Sequence, residues 1–340
     1  MQKIKMSQVT IKDLASTLGL SVSTISRALH NHPDIKSETK KTVISLAEEL
    51  GYKPNIVARN LKAKYSNQIG IIVPEIKHDF FAKAISGIEE IAYRDGFSVI
   101  ISQSNEDEER EKINANSLYL HRTAGMIVSL SQTTHNIDHF INLMKKGVKI
   151  VFFDRVYEGL DSYQVVIDDF QASYNAVDYL ISKGRKNIVH LAGPQVLLNC
   201  KGRLEGYKQA VLDNGLPFDE RLVIIGGMHE GDGTKELGIL IETGIKFDAV
   251  FAVNDPVAIG SSVTLKKLGY GIPDDVAIIG FSNNPITGYV TPSITTVEQP
   301  SYEMGKKSAS ILISLIKGEE DSNLQKKTVL PTKLIIRESA

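Results

Sequence analysis

The sequence predicts a small all-α headpiece followed by a larger α/β body made of two parallel-sheet subdomains. Three observations carry that prediction. Two short amphipathic helical patterns, joined by a few residues around a glycine, open the chain in TIKDLASTLGLSVSTISRALH. From residue 66 onward, short apolar runs alternate with amphipathic helices, as in parallel strands covered on both faces. The charge balance changes at the same place. Residues 1–64 hold 11 Lys/Arg against 5 Asp/Glu, a net of +6, and the remaining 276 hold 28 against 35, a net of −7. A basic segment on an acidic body implies that the first part meets a polyanion and the second does not.

The headpiece reads element by element. Thr10, with Asp13 three residues on, has the spacing of a capping box. Ile11, Leu14, Ala15 and Leu18 then share one face. Gly19 can end that helix in the left-handed conformation. Ser21 is a good N-cap for a second helix over residues 22–29, with Ile25, Ala28 and Leu29 inward. So short a turn forces a sharp crossing, which is the helix-turn-helix pattern, whose second helix enters the DNA major groove. Ser37 is expected to cap a third helix running through Val43, Leu46, Ala47 and Leu50 to Gly51. Val22, Ser23 and Arg27 project from the second helix. Arg27 can pair with guanine O6/N7, and Val22 can touch a thymine methyl. Ser21, Ser23, Thr24 and Ser26 can reach phosphates or base edges, and Thr10 is counted with them. Taken alone, Arg27 reads equally well as an exposed helical arginine.

Pro54 can start a short helix over residues 55–62, a stretch that carries Asn55, Arg59 and Lys62 and few apolar side chains. A helix that short needs a partner surface, here DNA or a twin copy. Leu61 in this basic hinge is placed to wedge between base steps of the minor groove. Packing on the body is its alternative.

VTIKDLASTLGLSVSTISRALH followed by GYKPNIVARNLK resembles the DNA-binding headpiece and hinge of the lactose-repressor (LacI/GalR) family of bacterial transcription regulators, in order and in spacing. The resemblance implies a dimer on a near-palindromic operator, with two hinge helices and a leucine pair prying open the central minor groove. It sets a headpiece at residues 7–53, a hinge at 54–65 and an effector-binding domain at 66–340.

In the body, IGIIVPE, FSVIISQSN, AGMIVSL and VKIVFFD read as strands separated by helices such as FAKAISGIEEIAYRDG and IDHFINLMKKG. EDEEREK is an acidic helix start. The pattern is expected to restart at YQVVIDD and to continue through KNIVHLAGP, LVIIGG, FDAVFAVND and DVAIIGFSN. Two such units in tandem place a cleft outside the carboxyl ends of their strands. The body also resembles the effector domain of the same family, which shares the fold of periplasmic sugar-binding proteins. That resemblance implies three crossings between subdomains, placed near 156–164, 293–299 and 318–327. The N-subdomain then takes about 66–156 and 299–318, and the C-subdomain about 164–293 and 327–340.

Residues just after strand ends are the cleft candidates. They are His78, Asp79, Phe80 and Phe81, then Gln132, Asp154 and Arg155, then Asn199, Arg203, Asn254 and Asp255, then Phe281, Ser282 and Asn283. Carboxylates, amides, an arginine fork and an aromatic platform suit a polyhydroxyl ligand. Family position singles out Arg203, Asn254 and Asp255. Asn254 and Asp255 have a local alternative, capping the helix VAIGSSVTLKKLG, and either Phe80 or Phe81 has one in the core. Many family members carry a Gly-aromatic-Asp sequence that holds the effector; here the stretch is GFSNN, with Ser282 in place of the Asp. Losing that carboxylate while keeping Arg203 tilts the expectation toward a uronate or sugar phosphate, with a neutral sugar close behind. Leu197 and Leu198 argue against a purine.

The enzyme classes find little support. There is no GxxxxGK[ST], no GxGxxG after a first strand, no HExxH and no cysteine cluster. The single Cys200 reads as an inert loop residue. No apolar run approaches the ~20 residues of a membrane span, and the N-terminus has no signal-peptide pattern, so a cytoplasmic protein is expected. No leucine heptad follows TKLIIRES, which points to a dimer. The expected partners are double-stranded operator DNA, a second copy, and a small effector that is a sugar, uronate or sugar phosphate. No metal or other cofactor and no membrane is expected. The alternative is a sugar-binding protein or sugar-metabolising α/β enzyme with no role on DNA.

Overall fold

A computed structural model describes residues 9–29, 31–52, 66–319 and 325–340. The chain divides into two compact units, Met1–Ser66 and Asn67–Ala340.

The first unit holds α1 (Ile11–Leu18), α2 (Val22–Leu29) and α3 (Ser37–Glu49). Thr10 donates its backbone N–H and its hydroxyl to Asp13 Oδ2, at 2.7 and 2.8 Å. Gly19 ends α1 at φ +64°, a conformation that costs any residue with a Cβ about 1–2 kcal/mol. The Ser21 hydroxyl accepts the Thr24 N–H at 3.1 Å and so caps α2. The helices bury Leu14, Ala15, Ile25, Ala28, Val43 and Ala47 against one another. One detail differs from expectation: Lys36 is the N-cap of α3, and Ser37 is already helical. The hinge over residues 54–65, with Asn55, Arg59 and Leu61, lies outside the described residues.

The second unit contains two six-stranded sheets. The first is built from β1 (Gln68–Val73), β2 (Ser98–Gln103), β3 (Gly125–Val128), β4 (Ile150–Phe153), β5 (Tyr163–Ile167) and β11 (Lys327–Leu330). Its order is β11-β5-β4-β3-β1-β2, parallel throughout. The second is built from β6 (Ile188–Leu191), β7 (Val223–Ile224), β8 (Ala249–Ala252), β9 (Ala277–Phe281), β10 (Thr295–Glu298) and β12 (Lys333–Ile335). Its order is β12-β10-β9-β8-β6-β7, parallel except where β12 runs against β10. Every residue of β3, β4, β8 and β9 is buried. That is why these strands read as continuous apolar runs rather than alternating ones.

Eight helices of this unit are described: α4 (Asp79–Arg94), α5 (Glu108–Leu120), α6 (Asp138–Lys145), α7 (Asp169–Ser182), α8 (Leu198–Asp213), α9 (Glu230–Glu242), α10 (Asp255–Lys267) and α11 (Ser301–Lys317). α4, α5, α6 and α11 serve the first sheet and α7 to α10 the second. α4 and α11 pack backbone against backbone. A Cβ at Gly87 would strike the Tyr302 carbonyl oxygen, and one at Gly305 would strike that of Ala84.

The first and third crossings fall later than the sequence suggests, and the second falls where it is expected, just after Glu298. YQVVI is not the first strand of the second sheet: as β5 it pairs with β4 and β11 in the first. The chain therefore changes sheets between β5 and α7, between β10 and α11, and between β11 and β12. In sequence β5 looks like a first strand because an edge-proximal parallel strand carries the same apolar run; only its pairing distinguishes them.

Candidate functional site

The headpiece surface follows from the burial of α2. Ile25 and Ala28 face the core, which leaves Ser21, Val22, Ser23 and Arg27 exposed and Thr24 and Ser26 half-buried. Val22 is 42% exposed, which leaves it accessible to a thymine methyl. The hydroxyls divide into two groups. Those of Thr10 and Ser21 are engaged in the caps of α1 and α2, where they fix backbone geometry. Ser23 lies within 2.7 Å of Ser21 Oγ, and Thr24 Oγ1 within 2.8 Å. The group with the reach and charge for a base edge is Arg27.

In the body, a cleft of about 580 Å³, its open mouth included, lies between the carboxyl ends of the two sheets. That size suits a small organic ligand. Ten of the expected residues line it: His78, Asp79, Phe80, Phe81, Asp154, Arg155, Asn199, Arg203, Asn254 and Ser282. Phe80 and Phe81 stand edge to face at 5.2 Å, with Phe81 buried and Phe80 half-buried. Asn254 fills both of its suggested roles. Its Oδ1 accepts the Val257 N–H at 3.0 Å to cap α10, and its Nδ2 donates to the Met228 carbonyl at 2.8 Å.

Two arginines dominate the floor, and both are committed. Arg203, 2% exposed, donates from Nε to Asp169 Oδ1 at 2.9 Å, holds Nη2 2.8 Å from the same oxygen as an ion pair, and donates from Nη1 to the Val253 carbonyl at 2.7 Å. Its guanidinium lies 3.7 Å above the Phe281 ring. Arg155 reaches both Glu106 oxygens at 2.8 Å from Nη1. Burial pushes the Asp169 carboxyl up to about 6 despite Arg203 beside it. Asp154 sits at φ +57°, and burial raises its pKa against the pull of Arg155 and Arg203. Gln299 ties the two halves together: its Nε2 donates toward Asp154 Oδ1 at 3.4 Å and its Oε1 accepts from the Ser282 hydroxyl at 2.9 Å.

Four expected residues do not line the cleft. Asp255 is fully buried, taking the Thr296 hydroxyl and the Asn284 N–H at 2.6 Å each, and with no cation bonded to it burial lifts its pKa to about 6. Phe281 lies underneath Arg203 instead of facing ligand. Gln132 turns its backbone N–H to Glu106 at 2.8 Å. Asn283 points the other way, toward Arg337 and Glu298. Conversely, Glu106, Met228, Pro256, Asn284 and Gln299 line the cleft and were missed. Glu106 was open to the rule used for the others, since it follows the end of β2. Its place at the head of the acidic run EDEEREK gives it the pattern of a helix start instead. Cys200 lies inside α8, not in a loop; it is fully buried and its thiol is pushed up to about 11, which agrees with an inert side chain.

Residues 10–55 match the model of the bacterial regulatory proteins of the lacI family, and residues 66–338 match the model of periplasmic binding proteins and the sugar-binding domain of the LacI family. Catabolite control protein A of Priestia megaterium is 32% identical over 333 residues, covering 97% of this chain and 99% of the relative. Among solved structures, the transcriptional regulator CelR in complex with cellobiose superposes with a TM-score of 0.74 at 26% identity, covering 98% of this chain and all of the other. A lac repressor dimer bound to operator and an anti-inducer has the same fold, with a TM-score of 0.86 at 23% identity over 98% of this chain and 99% of that one.

Proposed function

The chain belongs to the LacI family of bacterial regulatory proteins, a DNA-binding regulator with a sugar-binding body, and on that premise we propose that its cleft takes a neutral, polyhydroxylated sugar. The observation that carries this reading is the pairing of both floor arginines. Arg203 is matched by Asp169 and Arg155 by Glu106, so a uronate or sugar phosphate would find no spare cation on the floor and would meet Asp154 as well. A neutral sugar asks only for hydrogen bonds and a ring face. Asp79, Asn199, Ser282 and Asn284 offer the former, and Phe80 the latter. The complex of the relative CelR with a neutral disaccharide supports the same choice.

The regulator binds operator DNA as a dimer through α2 and the hinge. Ligand closes the cleft, moves the first subdomains of the dimer against each other and so alters hinge spacing and DNA affinity, a coupling of about 1–3 kcal/mol. This reading assigns no catalytic step to the body and places the protein in the cytoplasm with its DNA. Among the described residues no helix is long and apolar enough to cross a membrane. A thermal-shift screen against neutral sugars, uronates and sugar phosphates tests the ligand class. A ligand at 100 times its Kd stabilises by about 2.7 kcal/mol. Hits confined to the neutral panel support the reading, and hits confined to the acidic panels overturn it.

A further inference from the structure

At the mouth of the cleft three side chains meet that the sugar reading does not use. Glu75 follows β1, His78 precedes α4, and His229 precedes α9 on the opposite subdomain. One donor atom from each lies within 4.8 Å of the other two. Glu75 is 8% exposed, yet its Oε2 is buried without a hydrogen-bond partner. His78 Nε2 stands 3.1 Å from that oxygen without hydrogen-bond geometry, and His229 Nδ1 stands 4.0 Å from it. The two imidazoles stack with centroids 5.6 Å apart.

We propose that Glu75, His78 and His229 form a binding site for a borderline transition-metal dication such as Zn²⁺, which clamps the two subdomains together at the cleft mouth. Two imidazoles and one carboxylate are a donor set such ions favour over Mg²⁺ or Ca²⁺. Around a tetrahedral zinc with bonds near 2.0–2.2 Å, neighbouring donors stand about 3.3 Å apart. The Glu75–His78 edge already has nearly that length, and the Glu75–His229 edge needs to contract by several tenths of an ångström. An orphaned carboxylate oxygen facing an imidazole nitrogen with no proton aligned between them is how two ligands of one ion stand. Lys77 pairs with the other Glu75 oxygen at 3.5 Å and leaves Oε2 free for the ion. Because His229 is on one subdomain and the other two ligands are on its neighbour, occupancy favours the closed cleft.

The test is titration of the chelator-treated full chain with Co²⁺, followed by visible absorbance, and with Zn²⁺ as competitor. It needs neither DNA nor sugar, so its outcome is independent of the ligand-class reading. One equivalent of Co²⁺ with an intense tetrahedral or five-coordinate spectrum, displaced by Zn²⁺, is expected. His229→Ala and Glu75→Gln should each weaken binding at least tenfold, while His32→Ala, in the headpiece, leaves it unchanged. Zn²⁺ should raise the Tm of the wild type and not that of His229→Ala. Absence of a one-to-one complex at micromolar protein, or equal affinity in the wild type and both cleft variants, overturns the proposal.

Discussion

Arg203→Met is the most informative single change in the body. It keeps an apolar side chain over Phe281 but removes the hydrogen-bonded ion pair with Asp169 and the bond to the Val253 carbonyl. Stranding one partner of a buried pair costs about 3–5 kcal/mol. The pH dependence sharpens the test. In the wild type the Asp169 pKa of about 6 lies above the ordinary 3.8. Its contribution to stability is therefore greatest below pH 4 and is lost as pH rises through 6. Without Arg203 the pKa moves higher still, and the loss continues above pH 6. The gap between variant and wild type should thus widen from pH 6 to pH 8, by up to about 1.4 kcal/mol per pH unit, and narrow at pH 5. Urea unfolding followed by circular dichroism at pH 5, 6 and 8 reads it. Adding Asp169→Asn should recover much of the loss at pH 8. A gap below about 1 kcal/mol, a gap independent of pH, or a double variant no better than Arg203→Met would refute the pairing and with it the case for a charge-balanced floor.

Other changes separate the parts. Arg27→Ala should weaken binding to a selected operator by about 1–3 kcal/mol, relaxing preference at one base position, with the ligand-induced thermal shift intact by differential scanning fluorimetry. Leu61→Ala should lower specific affinity in a gel-shift assay without touching sugar affinity by calorimetry; equal loss of both would mean damage to the fold. Glu106→Gln frees Arg155, so the variant should gain affinity for a uronate relative to the matching neutral sugar; an unchanged ratio would argue that Arg155 is not felt in the cleft. Gly305→Ala forces α11 off the Ala84 carbonyl and should lower stability by about 1–3 kcal/mol in a urea melt.

The headpiece was legible because its determinants are local. Thr10 and Asp13, Gly19, and Ser21 with Thr24 each act within five residues, and the apolar spacing between them sets the core. The parallel sheets were legible from their buried apolar runs. The first and third crossings were not, because β5 and β11 declare their sheet only by pairing with each other, across more than 160 residues of chain. In the cleft, position after a strand end found ten lining residues but not which way each side chain turns. Asp255, one residue past the cap, points inward at the Thr296 hydroxyl rather than out, and Gly280 leaves it the room to do so. Gln299 and Met228 carry no chemical signal of their own. They matter because Gln299 joins Ser282 to Asp154, and because the Met228 carbonyl holds Asn254. The pairing of Arg203 was hidden for a related reason. Arg203 was visible in sequence, but the Asp169 that neutralises it lies 34 residues earlier, at the start of a helix assigned to no site.

The coupling of cleft to DNA is tested most directly by operator affinity with and without ligand. A duplex selected from a random pool by the full-length protein serves as probe, the neutral sugar from the thermal-shift screen as ligand, and fluorescence anisotropy as readout at several salt concentrations. Saturating sugar is expected to change the DNA Kd by about 5- to 150-fold, and the steep salt dependence of binding is expected to vanish when residues 1–64 are removed. A sugar that saturates the cleft and leaves the DNA Kd unchanged would contradict control of the headpiece by the body.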